Sequence, residues 1–390
     1  MKKVFSSTVF QLLIGVILGI LLGNYITEQQ IQAVIAVKYI LGQLIFFMVP
    51  LIIIGFVAPS ITRLKSNASK VLGLALLIAY LSSVGSALFG AFVGYQFIPF
   101  LDIVASKEGL KEVPALLFQL DIPPVMSVMS ALVLALMLGV ATVWTQSKKI
   151  EELLEDFQKI VLALVNKVLI PMLPFFIAAN FCILSYEGSI THQLPVFLKV
   201  VIIVIVCHYI WLAFLYGVAG LYSGKNPWKV LKHYGPAYIT AVGTMSSAAT
   251  LGVALQSAKK SKILRDDITD FSIPLFANIH LCGSVLTEVF FVMTVSMVLY
   301  GTLPALSTLV IFILLLGVFA IGAPGVPGGT VMASLGIIIS VLGFDEAGTA
   351  LLLTIFALQD SFGTACNITG DGALSLMLSA YADKKKLTNE

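Results

Sequence analysis

Apolar residues run along this chain in long, nearly unbroken blocks rather than in the alternation of a half-buried strand. A helix that spans a bilayer needs about 20 such residues. Blocks of that length fall near 8–25, 32–60, 70–100, 124–146, 157–185, 194–222, 268–300 and 347–380, which predicts eight spans. Two further apolar stretches have centres that cannot stay helical. The first, GPAYITAVGTMSSAATLGVALQS at 235–257, is interrupted by GTMSSAAT. The second, at 303–341, is interrupted by GAPGVPGG, where Pro324 and Pro327 remove backbone donors and Gly322, Gly325, Gly328 and Gly329 permit unusual dihedrals.

Composition fits this pattern. Hydrophobic residues make up 59% of the 390 and charged residues 11%, with a mean hydropathy of +1.02, far from the roughly 25% charged of soluble domains. The chain is expected to be a polytopic membrane protein embedded in a lipid bilayer. Continuous apolar blocks exclude a β-barrel and leave an all-α bundle, because only helices and closed barrels satisfy every backbone group in lipid. A net charge of +3 carries no nucleic-acid footprint.

The distribution of cations sets the expected topology. With the N-terminus inside, most of the Lys and Arg residues lie in the cytoplasm, including Lys2, Lys3, Arg63, Lys65, Lys148, Lys149, Lys232, Lys259 and Lys384 to Lys386. Only Lys38, Lys107 and Lys111 fall outside, with Lys167 and Lys199 within spans. The positive-inside rule therefore puts both termini in the cytoplasm. The two interrupted stretches then enter and leave on one side each, as opposed re-entrant hairpins whose tips line a protein-enclosed cavity. Opposed hairpins, each followed by a long span, suggest an inverted repeat, which in transporters places substrate where the broken helices meet. A single kinked helix at the Gly/Pro cluster is the simpler alternative. The basic, apolar N-terminus lacks a small-residue cleavage site and is expected to be a retained first helix. Cys182, Cys207, Cys282 and Cys366 lie in apolar segments without metal-ligand spacing, as packing residues do.

Candidate chemistry lies in the last block. At about 100° per residue, Asp360, Thr364, Asn367 and Asp371 share one stripe. A carboxylate in hydrocarbon costs at least ~2.5 kcal/mol, so such residues normally face a cavity, an ion or a substrate. The two Asp residues are separated by roughly 16 Å of helix and must serve different sites. Asp360, with Thr364 and Asn367 beside it, suits a zwitterion; Asp371 offers hard oxygen to a small monovalent cation. The alternative is a stripe that only hydrogen-bonds the hairpins together, although Ser, Thr or Asn would do that at less cost. The separation excludes an aspartyl-protease dyad, which needs carboxylates about 3 Å apart. A serine-protease arrangement of Ser246 or Ser247 with His280 is not excluded by spacing.

These motifs carry a resemblance. D-x-x-x-T-x-x-N-x-T-G-D at 360–371, T-x-S-S-x-x-T-L at 244–251 and G-V-P-G-G at 325–329 resemble the dicarboxylate/amino acid:cation symporter family of glutamate, aspartate and neutral amino acid transporters. The resemblance implies a homotrimer in the plasma membrane, with sodium-coupled uptake by an elevator-like transport domain. Residues 1–222 would be mainly scaffold, with the third span joining the transport core of 223–390. It further implies that Asp360 holds the substrate ammonium and that Thr364 and Asn367 contact substrate. Met245, Ser246 and Ser247 would form the first tip, and Val326, Pro327 and Gly328 would belong to a gate running from Ala323 to Gly329. Asp371 and Asn367 would hold sodium together with backbone carbonyls near Phe276 and His280.

The departures from the family pattern are informative. Acidic amino acid transporters carry an arginine three residues after the substrate-binding Asp; here Gly363 stands, and Met245 supplies no replacement. An unpaired second carboxylate would cost several kcal/mol, so the expected substrates are small neutral amino acids. In the seventh span the family reads P-L-G-A-T-I-N-M-D-G-T, and this chain reads P-L-F-A-N-I-H-L-C-G-S at 274–284. Cys282 thus replaces an aspartate of a buried sodium site and His280 an asparagine, which implies that this site is weak or absent, because a thiol is a poor ligand for hard Na⁺. Two readings of His280 stay open: a neutral imidazole bonded to the last helix, or one whose protonation substitutes for the cation. Glu288 is given no role. The resulting expectation is a Na⁺-coupled symporter, not an enzyme. The alternatives are an H⁺-coupled or non-amino-acid carrier of the same fold, and an intramembrane hydrolase.

Overall fold

The computed structural model describes residues 8–63, 70–101, 103, 111–116, 118, 120–188, 190–323 and 325–385. Lys2, Lys3, Lys65, Lys107, Lys386 and Pro324, used in the topology and hairpin expectations, lie outside these residues. The described chain is mostly helical, and the helices follow the apolar blocks of the sequence. These are α1 (Thr8–Tyr25), α2 (Glu28–Arg63), α3 (Lys70–Phe97), α4 (Val128–Thr145), α5 (Lys148–Leu164), α6 (Ile170–Glu187), α7 (Ile190–Ser223), the short α8 (Trp228–Leu231), α9 (Gly235–Thr244), α10 (Ser247–Lys260), α11 (Asp266–Ile279), α12 (Cys282–Tyr300), α13 (Leu306–Gly322), α14 (Gly329–Leu342) and α15 (Glu346–Lys384). A π-helical turn, Val165–Leu169, joins α5 to α6 without interrupting the rod.

Six helical rods among the described residues are long and apolar enough to cross a membrane. The helices α1 and α4 are 18 residues each, inside the span range of about 17–25. Both interrupted stretches form helical hairpins. In the first, α9 ends at Met245 in a left-handed conformation (φ 52°), and Ser246 caps α10 by accepting from Ala249 N at 3.2 Å. In the second, α13 ends at Gly322 and α14 starts after Gly328, whose φ of 70° suits glycine at low cost.

The seventh span differs from the sequence expectation of one continuous helix over 268–300. It is two helices, α11 and α12, parted by His280 (φ −111°, ψ 104°) and Leu281 (φ −121°, ψ 40°). The break is stable because neighbouring side chains take up the freed backbone groups. Ser83 Oγ accepts from Leu281 N at 3.4 Å, and Ser86 Oγ donates to the Cys282 carbonyl at 2.7 Å. Asn367 Oδ1 accepts from Gly283 N at 2.7 Å and Ser284 N at 3.2 Å, so a residue of α15 caps the start of α12.

Packing separates the helices into two groups. An outer group comprises α1, α2, α4, α5 and α6, which pack on one another. An inner group is centred on α15, which is flanked by α7, α9, α11 and α12, with α3 packed against α12 and α13. The outer group meets the inner one where α2 touches both arms of the second hairpin, α4 touches α14, and α1 and α6 touch α15. The third and sixth spans, both before residue 223, thus pack on the inner group. Glycine permits a close approach of α12 to α15: a Cβ on Gly283 would lie 2.5 Å from the Gly363 carbonyl and from Cys366 Cβ.

Candidate functional site

The polar stripe sits at the centre of the inner group. Asp360, Thr364, Asn367 and Asp371 are 3%, 4%, 1% and 0% exposed, so they face protein and not lipid. The two hairpin tips meet beside them. Ser246 Oγ donates to the Gly325 carbonyl at 2.7 Å, and a Cβ on Gly325 would touch Ser247 Cβ at 3.6 Å. The expectation that opposed tips converge is therefore borne out in the structure.

Asp360 is held by both of its oxygens. Gly328 N donates to Oδ2 at 2.6 Å, and Ser284 Oγ approaches Oδ1 at 3.5 Å. The tip of the second hairpin thus closes directly on the carboxylate. Val326 and Pro327 belong to the same turn, with Gly329 N donating to the Val326 carbonyl at 2.9 Å.

Ser284 went unnoticed in the sequence, and the structure makes it a hub. It accepts from Asn367 Nδ2 at 2.9 Å while its hydroxyl reaches Asp360. Its amide is also capped by Asn367, so α12, Asn367 and Asp360 are mechanically linked. The only sequence signal was its place at the end of the altered 274–284 segment. Asn367 spends its side-chain oxygen on two amides and one of its two N–H donors on Ser284.

A Cβ on Gly363 would stand 3.3 Å from Ser284 Cα, N and Oγ. The glycine brings α15 and α12 together.

Around Asp371, Oδ1 is 2.9 Å from His280 Nδ1, whereas Oδ2 has no partner among the described protein atoms. The Phe276 carbonyl accepts from His280 N at 2.8 Å, continuing α11 to its end. Beside the helix break, Asp371 thus keeps one buried carboxylate oxygen without a partner among the described atoms. Among the described residues no group of three His, Cys, Asp or Glu gathers as a transition-metal site, and all four cysteines are free and buried.

The hydrolase arrangement is not formed. His280 Nε2 faces Ser82 Oγ at 2.9 Å and its Nδ1 faces Asp371, so neither ring nitrogen meets Ser246 or Ser247. The Ser246 hydroxyl is itself spent on Gly325.

A cleft of about 700 Å³ lies between the two groups of helices, with Phe56, Gln158, Leu162 and Asn166 of the outer group opposite Ser246, Ala248, Asn278, Gly325 and Val326. It reaches the outer surface of the joined tips and stops there. Asp360, Thr364 and Asn367 do not line it, because the tips seal them off.

Broken hairpins that meet over buried carboxylates within a polytopic bundle define a membrane carrier. The chain belongs to the sodium:dicarboxylate symporter family, whose description matches residues 8–381. It is 28% identical over 171 residues to neutral amino acid transporter B(0) of Rattus norvegicus, covering 43% of this chain and 30% of that protein. Excitatory amino acid transporter 2 of Homo sapiens is 28% identical over 232 residues, 56% of this chain and 39% of that protein. The putative sodium-dependent excitatory amino acid transporter glt-4 of Caenorhabditis elegans is 24% identical over 263 residues, 66% and 52% of the two chains. The matched segments span between 30% and 52% of these relatives' own lengths.

Proposed function

We propose that this protein is a secondary active symporter that carries small neutral amino acids into the cell with sodium. One observation carries the choice of substrate: among the described residues no Lys or Arg is buried, while Asp360, Asp371 and Glu288 are. Among the described residues the inner group buries carboxyl groups and no guanidinium or ammonium. It therefore has a place for a substrate ammonium at Asp360 and none for a second substrate carboxylate, whose burial without a partner would cost several kcal/mol.

In this reading the amino acid enters as the α13–α14 tip lifts and Gly328 leaves Asp360. The ammonium takes the carboxylate, and Ser284, Thr364 and Asn367 receive the rest of the zwitterion. Met245 and Ser246 to Ser247 close from the first tip, and Val326 to Gly328 close from the second. Sodium binds at the unpaired oxygen of Asp371, with Asn367 and the carbonyls near Phe276 and His280 beside it. Through Asn367 and α12 that ion stiffens the site one helix away, so ion and substrate favour each other.

The cleft between the helix groups supports an elevator motion, in which α1, α2, α4, α5 and α6 form the scaffold and the α15-centred group moves. This puts the third and sixth spans in the moving part. The scaffold would assemble a homotrimer in the plasma membrane, with both termini in the cytoplasm.

A thermal-shift panel of the twenty amino acids tests the reading, followed by uptake into proteoliposomes under imposed Na⁺ or H⁺ gradients. Small neutral amino acids are expected to stabilise the protein only with sodium, by about 2.7 kcal/mol at a hundredfold excess over Kd. Uptake driven by a proton gradient and indifferent to sodium would instead establish an H⁺-coupled carrier of the same fold.

A further inference from the structure

A buried hydrogen-bonded chain crosses the break in the seventh span and takes no part in the substrate contacts above. Ser82 Oγ on α3 lies 2.9 Å from His280 Nε2, and His280 Nδ1 lies 2.9 Å from Asp371 Oδ1 on α15. The three residues are 6%, 0% and 0% exposed. With an ionised Asp371, Nδ1 carries a hydrogen and donates it; with a neutral ring, the Ser82 hydroxyl donates to Nε2. Each hydrogen-bonding position of the ring is then filled. The imidazole also presses on α15 where that helix has no side chain: a Cβ on Gly370 would lie 2.9 Å from His280 Cε1 and 3.3 Å from Cys282 Sγ.

A two-residue break at the centre of a bundle leaves three elements to be tied together: the end of α11, the start of α12 and the neighbouring α3 and α15. A bound monovalent cation can do this only by collecting several hard oxygens. Between α3 and α15 at the break, the groups at hand are the imidazole and, against Gly370 of α15, the buried thiol of Cys282, both poor partners for sodium, and Ser83 and Ser86 of α3 are already spent on Leu281 N and the Cys282 carbonyl.

We infer that His280 is a built-in strut standing where a cation would otherwise tie α3, the break and α15, so that no sodium binds on the α3 side of Asp371. The inference deepens the symporter reading and rests on it. Sodium coupling is confined to the opposite oxygen of Asp371, and His280 acts as a positioning residue that holds the break whether or not sodium is present.

Two variants of the full-length protein test this, read by direct sodium binding and by sodium-dependent thermal shift. The double variant His280→Asn/Cys282→Asp supplies hard oxygens in place of the ring and the thiol, and is expected to bind one further sodium ion per chain than the wild type. A folded double variant with wild-type sodium binding overturns the inference. Ser82→Ala, which leaves the ring in place, decides the matter if the double variant does not fold. Loss of one strut contact should lower the melting temperature while leaving the sodium midpoint unchanged. A midpoint raised about tenfold or more would mark Ser82 as an ion ligand and also overturn it. A wild type that shows no response to sodium at all would sink the symporter reading but not the strut. The strut would then stand or fall on whether the folded double variant acquires sodium binding.

Discussion

The amide of Gly328 donates to Asp360 Oδ2 over 2.6 Å, so the tip of the second hairpin rests on the carboxylate that the proposed substrate must claim. Opening and binding are thereby one exchange of donors. In Asp360→Asn the Gly328 bond survives on the amide oxygen and the charge is lost. A charged hydrogen bond contributes about 1.5–3 kcal/mol, so amino acid affinity should fall roughly ten- to a hundredfold. Stability without ligand should be kept or raised, because a buried charge has been removed. Wild-type affinity in this variant, measured by calorimetry, would reject Asp360 as the ammonium site.

Ser284 connects Asp360 to Asn367 and offers the next test. Ser284→Ala deletes the hydroxyl that accepts from Asn367 Nδ2 and leaves that donor buried, at about 1–3 kcal/mol. Affinity and stability should both drop, and Ser284→Thr should restore much of each. If Ser284→Ala binds and melts like the wild type, the link between the two residues has no energetic weight.

Much of this arrangement could be read from the sequence. Twenty-residue apolar blocks gave the spans, Gly and Pro clusters gave the hairpins, and the 100° repeat put Asp360, Thr364, Asn367 and Asp371 on one buried face. The break at His280 and Leu281 was hidden, because what stabilises it comes from far along the chain: Ser83 from α3 and Asn367 from α15. The altered 274–284 segment marked the place but suggested missing ligands rather than an interrupted helix. The burial of Gly363 against Ser284 was hidden for a related reason. A helical angle tells which residues share a face, not which helix covers that face.

Gly363 therefore carries a steric prediction. Its Cβ would meet two backbone atoms of Ser284 at 3.3 Å, and backbone yields less readily than a side-chain tip. Gly363→Ala should cost about 1–3 kcal/mol by overpacking, seen as a lower melting temperature. Gly363→Arg, despite supplying the fork found in acidic-substrate relatives, should lose neutral substrates without gaining acidic ones. Robust aspartate binding by Gly363→Arg would show that α12 and α15 separate more easily than their packing implies.

Asp371 tests the coupling. Its Oδ1 is tied to His280 and its Oδ2 has no partner among the described atoms. Asp371→Asn removes the charge a cation would seek while preserving an acceptor for the ring. Sodium affinity should weaken, and amino acid affinity at fixed sodium should weaken through linkage, since the coupling free energy is the same viewed from either ligand. Unchanged sodium dependence in a folded Asp371→Asn would assign the residue a purely structural part in the strut.

Selectivity is where the charge inventory speaks most directly. The inner group buries Asp360, Asp371 and Glu288, and among the described residues it buries no Lys or Arg. Glu288 is bonded to the Ser334 hydroxyl through one oxygen, and its other oxygen has no partner among the described atoms, so it brings no cation to the substrate. A neutral amino acid brings one ammonium to Asp360 and one carboxylate, which sodium and the backbone donors of the tips can balance. Aspartate or glutamate brings a second carboxylate into a site that already repels it and contains no guanidinium to pair with it. Competition against a bound neutral amino acid should therefore show inhibition by serine, threonine or alanine at least a hundredfold stronger than by aspartate or glutamate, a gap of about 2.8 kcal/mol. The gap should narrow as the pH falls, because protonating the second carboxylate removes the penalty. Strong inhibition by aspartate at neutral pH, with none by serine or alanine, would refute the neutral-substrate assignment and require a cation in the site that the inner group does not supply.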